Sequence, residues 1–395
     1  MRFLGHVRVC ETHGIRRFLY PVSLEIPAAL PHTTIGTADR DCGPSASEVP
    51  PPVLIMPDVG PIPLQVTPGA TNPDLYSRLD FAVSLSPFEQ LELKLYAEQP
   101  ESLSLSKGDE LDPIEEVSTQ KAVCLEDPLK VTEGKRFVST QRRFSTVFDR
   151  RGTLHQAVYD SVPHLRAPAV FTRNGLQAEL EGASAYAAGF PLTARVTAAG
   201  QYPDGCEAET HLETTACKSW VMLKHLLSTT QPGDELVFEL PLVVYSSVVT
   251  CDFGVGGGIY GSLRQKICPT IVWHSEFLDS GGMRWSVASG DRTDYIGEVR
   301  TAEEYRQQLW FHQVDGHKAL AVAITQIPRC CREMEITLRA NGDVAVAFGI
   351  GEATGVPAAF GLCCHFLNDI PAISAATNPQ SILLPPVVTW SGIIA

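Results

Sequence analysis

Hydrophobic and polar residues alternate in short runs along most of this chain. Alternation with a period of two puts successive side chains on opposite faces of an extended strand. Within the first hundred residues, runs of this kind cover residues 6–10, 19–26, 52–56, 62–66, 79–85 and 91–96. Their spacing predicts a small β-barrel domain over residues 1–98, with an exposed loop rich in proline, serine and glycine at residues 31–51.

A second and larger region with the same pattern begins near residue 136. Its runs cover residues 143–149, 154–159, 175–180, 192–197, 206–215, 219–223, 236–249, 270–277, 283–287, 319–327, 335–339, 344–348, 360–366 and 381–390. Many short strands separated by turns are typical of a large antiparallel sandwich. We therefore predict an all-β protein, in which a small N-terminal β-barrel is followed by a large antiparallel β-supersandwich over residues 136–395.

Two segments interrupt this alternation. Residues 99–135 are crowded with carboxylates, which predicts a solvated acidic linker between the two domains. Residues 301–310 are the one helix candidate, because Thr301 suits an N-cap and Glu304 stands at the capping-box position.

Composition and charge restrict the kind of partner. The 395 residues are 44% hydrophobic and 19% charged, as in an ordinary globular protein, and the formal net charge is −14. Nucleic acids and anionic membrane surfaces bind positively charged proteins, so neither is expected as a partner. No apolar run approaches the ~20 residues of a membrane span, and the N-terminal residues lack the pattern of a secretory signal.

The eleven cysteines predict a reducing compartment. Two adjacent pairs, Cys330 with Cys331 and Cys363 with Cys364, fall inside apolar runs. Neighbouring residues of a strand point to opposite faces, so neither pair is placed to hold one metal ion or to form a disulfide within itself. We expect buried, reduced thiols in a cytoplasmic protein, with no bound metal and no cofactor.

A glycine-rich segment at residues 251–261 separates two strongly apolar runs. A phosphate-binding loop needs a helix behind it, whereas a strand pattern follows here, and no Gly-Lys-Ser/Thr triplet is present. The favoured interpretation is a long hairpin connection with bulges. The alternative is a flat glycine floor, around residues 256–258, against which a sugar ring could lie.

Residues suited to a glycan site are concentrated between positions 252 and 312. Aromatic rings cover the apolar face of a sugar, while carboxylates and arginines bind its hydroxyls. The predicted catalytic residues are His274, Glu276, Arg284, Asp291, Tyr295 and His312. The predicted substrate-binding residues are Asp252, Gly257, Tyr260, Trp273, Trp285, Arg292 and Trp310. Alternation puts His274 and Glu276 on one strand face and Trp273 on the other, and we expect the cluster to line one groove.

Three chemistries stay open for this cluster. A lyase would draw its base from His274, His312 and Tyr295, and the arginine that neutralises a substrate carboxylate from Arg284 and Arg292. A hydrolase would pair two of the carboxylates Glu276, Asp291, Asp294 and Glu298. The carboxylates of residues 291–298 also permit a calcium loop, although the spacing of an EF-hand is absent.

The chain resembles one known family over most of its length. Residues 7–26, residues 57–66 and the strands at 79–83 and 91–95 resemble the small β-barrel that opens the exo-acting rhamnogalacturonan lyase-like proteins. Residues 133–154 resemble the start of their central β-supersandwich, and residues 216–225 and 235–241 resemble the strands that follow. The resemblance implies a carbohydrate-active architecture without their C-terminal helical toroid, and no catalytic residue is carried over.

Together these observations predict a carbohydrate-active protein that acts on or binds a glycan or glycoside, with lyase-like chemistry as one form of this function. The alternative is a non-catalytic structural or assembly subunit built on a β-sandwich. A homo-oligomer is compatible with either function.

Overall fold

The computed structural model describes residues 2–13, 15–30, 35–36, 52–57, 59–68, 75–97, 130–133, 137–141, 143–187, 192–245, 248–255, 260–266, 270–299, 309–315, 318–368 and 382–392. Among these, only residues 382 and 383 are helical, and the strand pairs are antiparallel, so the all-β prediction is confirmed. None of the described helices has the length and apolarity to cross a bilayer. Residues 301–308 of the predicted helix lie outside the described residues, and Leu309 and Trp310 begin a strand.

Two compact units make up the chain. The first consists of Met1–Leu129, Tyr186–Thr193 and Pro385–Ala395, and the second of Lys130–Ala185 and Ala194–Leu384. The predicted domain division places residues 186–193 and 385–395 in the larger domain. They group with the first unit because residues 387–392 pair with residues 5–10, and because the Gln65 side chain accepts the backbone N–H groups of Leu192 and Thr193 at 2.9 and 3.1 Å. Residues 98–129 of the predicted linker lie outside the described residues, and residues 130–133 form a strand.

The first unit contains nine strands with described bounds. They are β1 (Arg2–Cys10), β2 (Arg17–Ile26), β3 (Ile35–Gly36), β4 (Val53–Met56), β5 (Gly60–Ile62), β6 (Leu64–Pro68), β7 (Ser77–Leu85), β8 (Gln90–Ala97) and β30 (Val387–Gly392). One sheet has the order β30-β1-β8-β4-β5 and another β2-β7-β6, while β3 pairs with Tyr186 and Ala187. Alternation buries Val7 and Val9 of β1 against Leu93 and Leu95 of β8, as period-two patterning requires.

The second unit holds the remaining strands. They are β9 (Lys130–Glu133), β10 (Phe137–Thr140), β11 (Phe144–Phe148), β12 (Leu154–Tyr159), β13 (Val162–Pro163), β14 (Val170–Arg173), β15 (Glu179–Ala187), β16 (Thr193–Gln201), β17 (Glu207–Thr215), β18 (Trp220–Leu227), β19 (Glu235–Leu240), β20 (Val248–Val255), β21 (Tyr260–Lys266), β22 (Ile271–Phe277), β23 (Met283–Ser289), β24 (Arg292–Val299), β25 (Leu309–Asp315), β26 (Lys318–Gln326), β27 (Cys331–Leu338), β28 (Val344–Ile350) and β29 (Ala358–Asn368). The last two residues of β15, Tyr186 and Ala187, and the first residue of β16, Thr193, belong to the first unit.

Three sheets organise the second unit. A seven-stranded sheet has the order β14-β19-β28-β27-β22-β23-β24, a large sheet runs β21-β20-β25-β26-β29-β18-β17-β16-β15, and a small sheet runs β13-β12-β11-β10-β9. The hydrophobic core lies between the seven-stranded and the large sheet. Phe253 of the large sheet lies 5.9 Å from the ring of Trp273 and 6.0 Å from that of Trp285, centroid to centroid. The small sheet covers a further part of the same face, because Phe144 stacks on Phe366 at 5.9 Å.

Candidate functional site

Part of the predicted cluster forms an exposed charge ladder on the outer face of the seven-stranded sheet. Arg284 of β23 stands in register between Glu276 of β22 and Glu298 of β24. Its guanidinium lies 3.7 Å from the Glu276 carboxylate and 3.3 Å from that of Glu298. All three side chains are at least half exposed. Ion pairs this exposed contribute about 0–1 kcal/mol, so the ladder is a solvated strand face.

The remaining predicted residues of β22 to β24 are divided between the two faces of that sheet. His274 lies on the outer face, in register with Glu335 and Ser286. Asp291 is exposed in the turn between β23 and β24, and Arg292 pairs with Asp294 at 2.5 Å. Tyr295 points the other way, with its ring 5.2 Å from that of Phe253.

His312 and Asp252 lie elsewhere, as a buried pair within the large sheet. They are register partners on β25 and β20, with His312 Nδ1 3.4 Å from Asp252 Oδ2, and both side chains are fully buried. Phe253, the neighbour of Asp252, faces the seven-stranded sheet, so strand alternation turns Asp252 and His312 to the opposite face of the large sheet. The single groove predicted for His274, Glu276, Arg284, Asp291 and His312 is therefore not formed.

The three tryptophans predicted to bind substrate are core residues. Trp273, Trp285 and Trp310 are 1%, 9% and 2% exposed. A Cβ added at Gly297 would meet the ring of Trp285 at 2.6 Å, and one at Gly254 would meet the ring of Trp310 at 2.2 Å. These glycines are thus required for packing of the indoles against the strands. Gly257 lies outside the described residues, and Tyr260 begins strand β21.

The second unit does contain a cleft, at a place the sequence interpretation did not select. Its volume is about 1030 Å³. It is lined by the turn between β11 and β12, by β14, by the start of β15 and by one residue each of β17 and β18, namely Asp149, Arg150, Arg151, Gly152, Thr153, His155, Pro168, Val170, Phe171, Gln177, Ala178, Glu179, Leu180, Glu181, Thr210 and His225. Charged, amide and hydroxyl side chains predominate in this lining, beside the apolar side chains of Val170, Phe171 and Leu180.

One carboxylate organises the mouth of this cleft. Asp149 Oδ1 accepts the backbone N–H groups of Arg151 and Thr153 at 2.9 and 3.1 Å, which closes the turn. Its other oxygen, Oδ2, lies 2.8 Å from His155 Nε2. Both Asp149 and His155 are about one-fifth exposed. A carboxylate that pairs with one ring nitrogen fixes the orientation of an imidazole, so His155 is held in place at the cleft wall.

The turn is seated on the large sheet through a glycine. Gly152 has φ +71°, and a Cβ added there would meet the Thr210 side chain at 2.9 Å. The left-handed backbone and the close approach both require glycine at this position. The contact fixes the turn, and with it Arg150 and Arg151, relative to the floor of the cleft.

Below the turn, a buried imidazole completes the floor. His225 Nδ1 lies 2.7 Å from the Thr210 hydroxyl, and Nε2 lies 3.0 Å from the Tyr202 hydroxyl. The imidazole stacks on Phe171 at 4.7 Å with an interplanar angle of 15°. Burial lowers the pKa of His225 to about 3 and raises that of Tyr202. His225 is therefore neutral near pH 7 and supports the floor rather than transferring protons.

An ion-pair network lies behind this floor. Arg173 is 5% exposed and its Nη2 lies 2.7 Å from Asp234, while Nη1 lies 2.6 Å from Asp204. Its guanidinium also stands 5.7 Å from the centre of the Tyr202 ring. Asn174 donates to the second oxygen of Asp234 at 3.0 Å. Hydrogen bonds on several sides make this network rigid, which preorganises the residues above it.

The sequence did contain a signal for this site. Residues 150–152 fall between the alternating runs 143–149 and 154–159 and form a turn in the structure, but the pattern Asp149-Arg-Arg-Gly-Thr-Leu-His155 was not among the predicted sites. An aspartate before a glycine turn, with a histidine six residues later on the returning strand, could have indicated the Asp149–His155 pair. No groups of three or more histidine, cysteine, aspartate or glutamate residues suited to a metal ion occur in the part of the chain that the structure describes.

The architecture is similar to that of two solved structures, although the sequence matches no known family. No family model matches the sequence, and no curated protein matches it. One similar solved structure is that of a protein in glycosyl hydrolase family 38 from Enterococcus faecalis. The match covers 98% of this chain and 47% of the other protein's chain, with 10% identity and a TM-score of 0.50. Another is that of an α-mannosidase from Enterococcus faecalis V583. The match covers 98% of this chain and 46% of the mannosidase chain, with 10% identity and a TM-score of 0.52. The chain shares their fold. It spans about half the length of these solved structures.

Both of these neighbours are named as glycosidases or members of a glycosidase family, and neither as a polysaccharide lyase. At 10% identity this likeness shows a shared fold alone. The finer resemblance to rhamnogalacturonan lyase-like proteins stays a prediction.

Proposed function

We propose that this chain binds a glycan or glycoside in the cleft formed by residues 149–155, 177–181, Thr210 and His225. The observation that carries the proposal is the pairing of Asp149 with His155 at 2.8 Å on the wall of a cleft of about 1030 Å³. Sugars are bound by fixed hydrogen-bonding groups with an apolar surface beside them, and this cleft supplies both. The shared fold with two glycosyl hydrolase structures supports the same class of ligand.

The proposal is binding rather than cleavage. Lyase-like chemistry was predicted for the 252–312 cluster, and it has no supporting geometry there, because His312 is fully buried while Glu276 and Arg284 lie on a solvated face of another sheet. In the cleft, the imidazole of His225 is neutral and fully hydrogen-bonded. The groups that remain available, Gln177, Glu179 and Glu181, are exposed hydrogen-bonding side chains of the kind that hold hydroxyls.

Calorimetric titration with methyl α-mannoside and a panel of other glycosides tests the proposal. We expect saturable binding by the wild-type chain, and at least tenfold weaker binding by the double variant Gln177→Ala, Glu181→Ala, since both side chains line the cleft and are exposed. The matched control is Glu276→Ala on the outer face of the seven-stranded sheet, which should bind as the wild type does. If no member of the panel binds, the proposal is wrong and the alternative of a structural or assembly subunit is favoured.

A further inference from the structure

Charges of opposite sign enter the cleft from different elements. Arg150 and Arg151 stand on the turn between β11 and β12, whereas Glu179 and Glu181 stand at the start of β15. All four side chains are exposed. Within the described residues, the guanidinium of Arg151 has no ion-pair or hydrogen-bond partner, and neither do the carboxylates of Glu179 and Glu181. The cleft is therefore dipolar, with positive side chains on one element and negative side chains on another.

The cationic element is fixed in position. The backbone of Arg151 is tied to Asp149 by a hydrogen bond of 2.9 Å, and Gly152 is packed against Thr210. Many exposed arginines of this protein are instead neutralised by a neighbour. Arg143 pairs with Asp160, and Arg292 with Asp294. Among the described residues, the guanidinium of Arg151 thus has no partner, and it stands on a fixed turn at the mouth of a cleft in a chain of net charge −14.

We infer that the ligand of this cleft is a saccharide that carries an anionic substituent, a carboxylate, sulfate or phosphate, which Arg151 binds. The inference rests on the proposed function and names the ligand class of the same site. A guanidinium presents paired N–H donors that match the oxygens of these anions, and hydrogen bonds between charged groups are about twice as strong as neutral ones. The sugar hydroxyls donate to Glu179 and Glu181, which are acceptors only.

The opposite charges also decide against other ligands. An inorganic anion alone could pair with Arg151 but would leave the carboxylates of β15 facing only water. A cationic sugar could pair with those carboxylates but would leave Arg151 without an anion. A saccharide with its anionic group at the turn and its hydroxyls toward β15 satisfies both elements at once.

The test compares dissociation constants for methyl α-mannoside, mannuronate, mannose 6-sulfate, mannose 6-phosphate and inorganic phosphate. At least one charged saccharide should bind roughly 10-fold to 100-fold more tightly than the neutral one, and inorganic phosphate more weakly than that saccharide. Which substituent binds best identifies the source of the anion. Rising salt should reduce the preference, because exposed charges are screened.

Variants then locate the preference. Arg151→Gln should abolish the preference, so that the charged saccharide and methyl α-mannoside bind with similar affinity, whereas Glu181→Gln should weaken both ligands alike. Arg292→Gln removes the same charge on another sheet and should change neither. Binding of the neutral and charged saccharides with equal affinity, or a preference that survives Arg151→Gln, would overturn this inference while leaving glycan binding intact. Absence of binding by every saccharide would overturn the proposed function with it.

Discussion

Asp149 and His155 face each other across a tight turn, with Oδ2 of the carboxylate 2.8 Å from Nε2 of the imidazole, while Oδ1 of the same carboxylate accepts two backbone N–H groups of that turn. One side chain therefore sets both the backbone of the turn and the orientation of the histidine.

Replacement of Asp149 should accordingly affect stability and binding together. Asp149→Ala leaves the N–H groups of Arg151 and Thr153 without their acceptor, and we expect a loss of about 1–3 kcal/mol in the free energy of unfolding, measured in urea. Asp149→Asn keeps an amide oxygen for the turn and should lose less stability, but should still weaken glycoside binding because the charge opposite His155 is gone. Asp291→Ala, an exposed turn residue, is the control and should change the stability by less than about 0.5 kcal/mol. Equal stability of the Asp149→Ala and Asp291→Ala variants would show that Asp149 does not hold the turn.

Gly152 offers a test of how the turn is seated. Gly152→Ala puts a Cβ 2.9 Å from Thr210 in a residue with φ +71°, so strain and overlap add. Gly175 has φ +76° with nothing within 4 Å of an added Cβ, and Gly175→Ala therefore carries the backbone strain alone. We expect the control to cost about 1 kcal/mol and Gly152→Ala to cost about 1–3 kcal/mol more, with loss of glycoside binding. Similar costs for the two variants would indicate that the packing against Thr210 is loose.

Acid sensitivity follows from the buried histidines. The pKa of His225 is lowered to about 3 by burial, and burial also holds the pKa of His365 well below its usual range. In the unfolded chain a histidine binds a proton near pH 6.5, so between pH 6.5 and 3 the unfolded state binds more protons than the folded state. The contribution of these histidines to the free energy of unfolding should be constant above about pH 6.5 and fall as the pH drops through this window, by up to about 1.4 kcal/mol per pH unit for each histidine.

Urea unfolding at several pH values between 4 and 8 measures this slope. His225→Gln should reduce it by about one proton relative to the wild type, whatever its effect on stability at pH 7. A wild-type slope of zero would contradict the neutral, buried state of His225.

The tryptophans first predicted to bind substrate should instead behave as core residues. Trp273 is 1% exposed and packs against Phe253, so Trp273→Ala should cost about 3–5 kcal/mol in the free energy of unfolding. Where the variant is still folded, its affinity for a glycoside should match that of the wild type. Glu276 lies three residues further along the same strand, on its exposed face, and Glu276→Gln should cost less than about 1 kcal/mol. A selective loss of binding in Trp273→Ala with unchanged stability would restore the earlier assignment.

The sequence predicted the strands better than their partners. Alternation identified Val7 and Val9 as one buried face, because burial on one side of a sheet leaves a period of two in the sequence. It also separated Trp273 from Glu276 correctly. Pairing between distant segments leaves no such trace, so the pairing of β30 with β1 was missed. For the same reason, proximity in sequence between Asp252, His274 and His312 was mistaken for proximity in space.

The cleft was missed for a related physical reason. Its lining comes from five separate parts of the chain, and neither Thr210 nor His225 carries a local pattern that distinguishes it from any other buried strand residue. What the sequence showed was the tight turn of residues 150–152, which has a local cause in Gly152. The function of that turn depends on its seat on β17, and that contact is set by the fold.

A structure of the chain crystallised with a saturating saccharide, chosen from the titrations above, tests the central claim most directly. The account predicts ordered density for the sugar in the cleft, with Arg151, Gln177 and Glu181 within hydrogen-bonding distance of its oxygens and the turn of residues 149–153 unmoved. Density at the outer face beside Glu276 and Arg284, or a bound sugar elsewhere with the cleft empty, would contradict it.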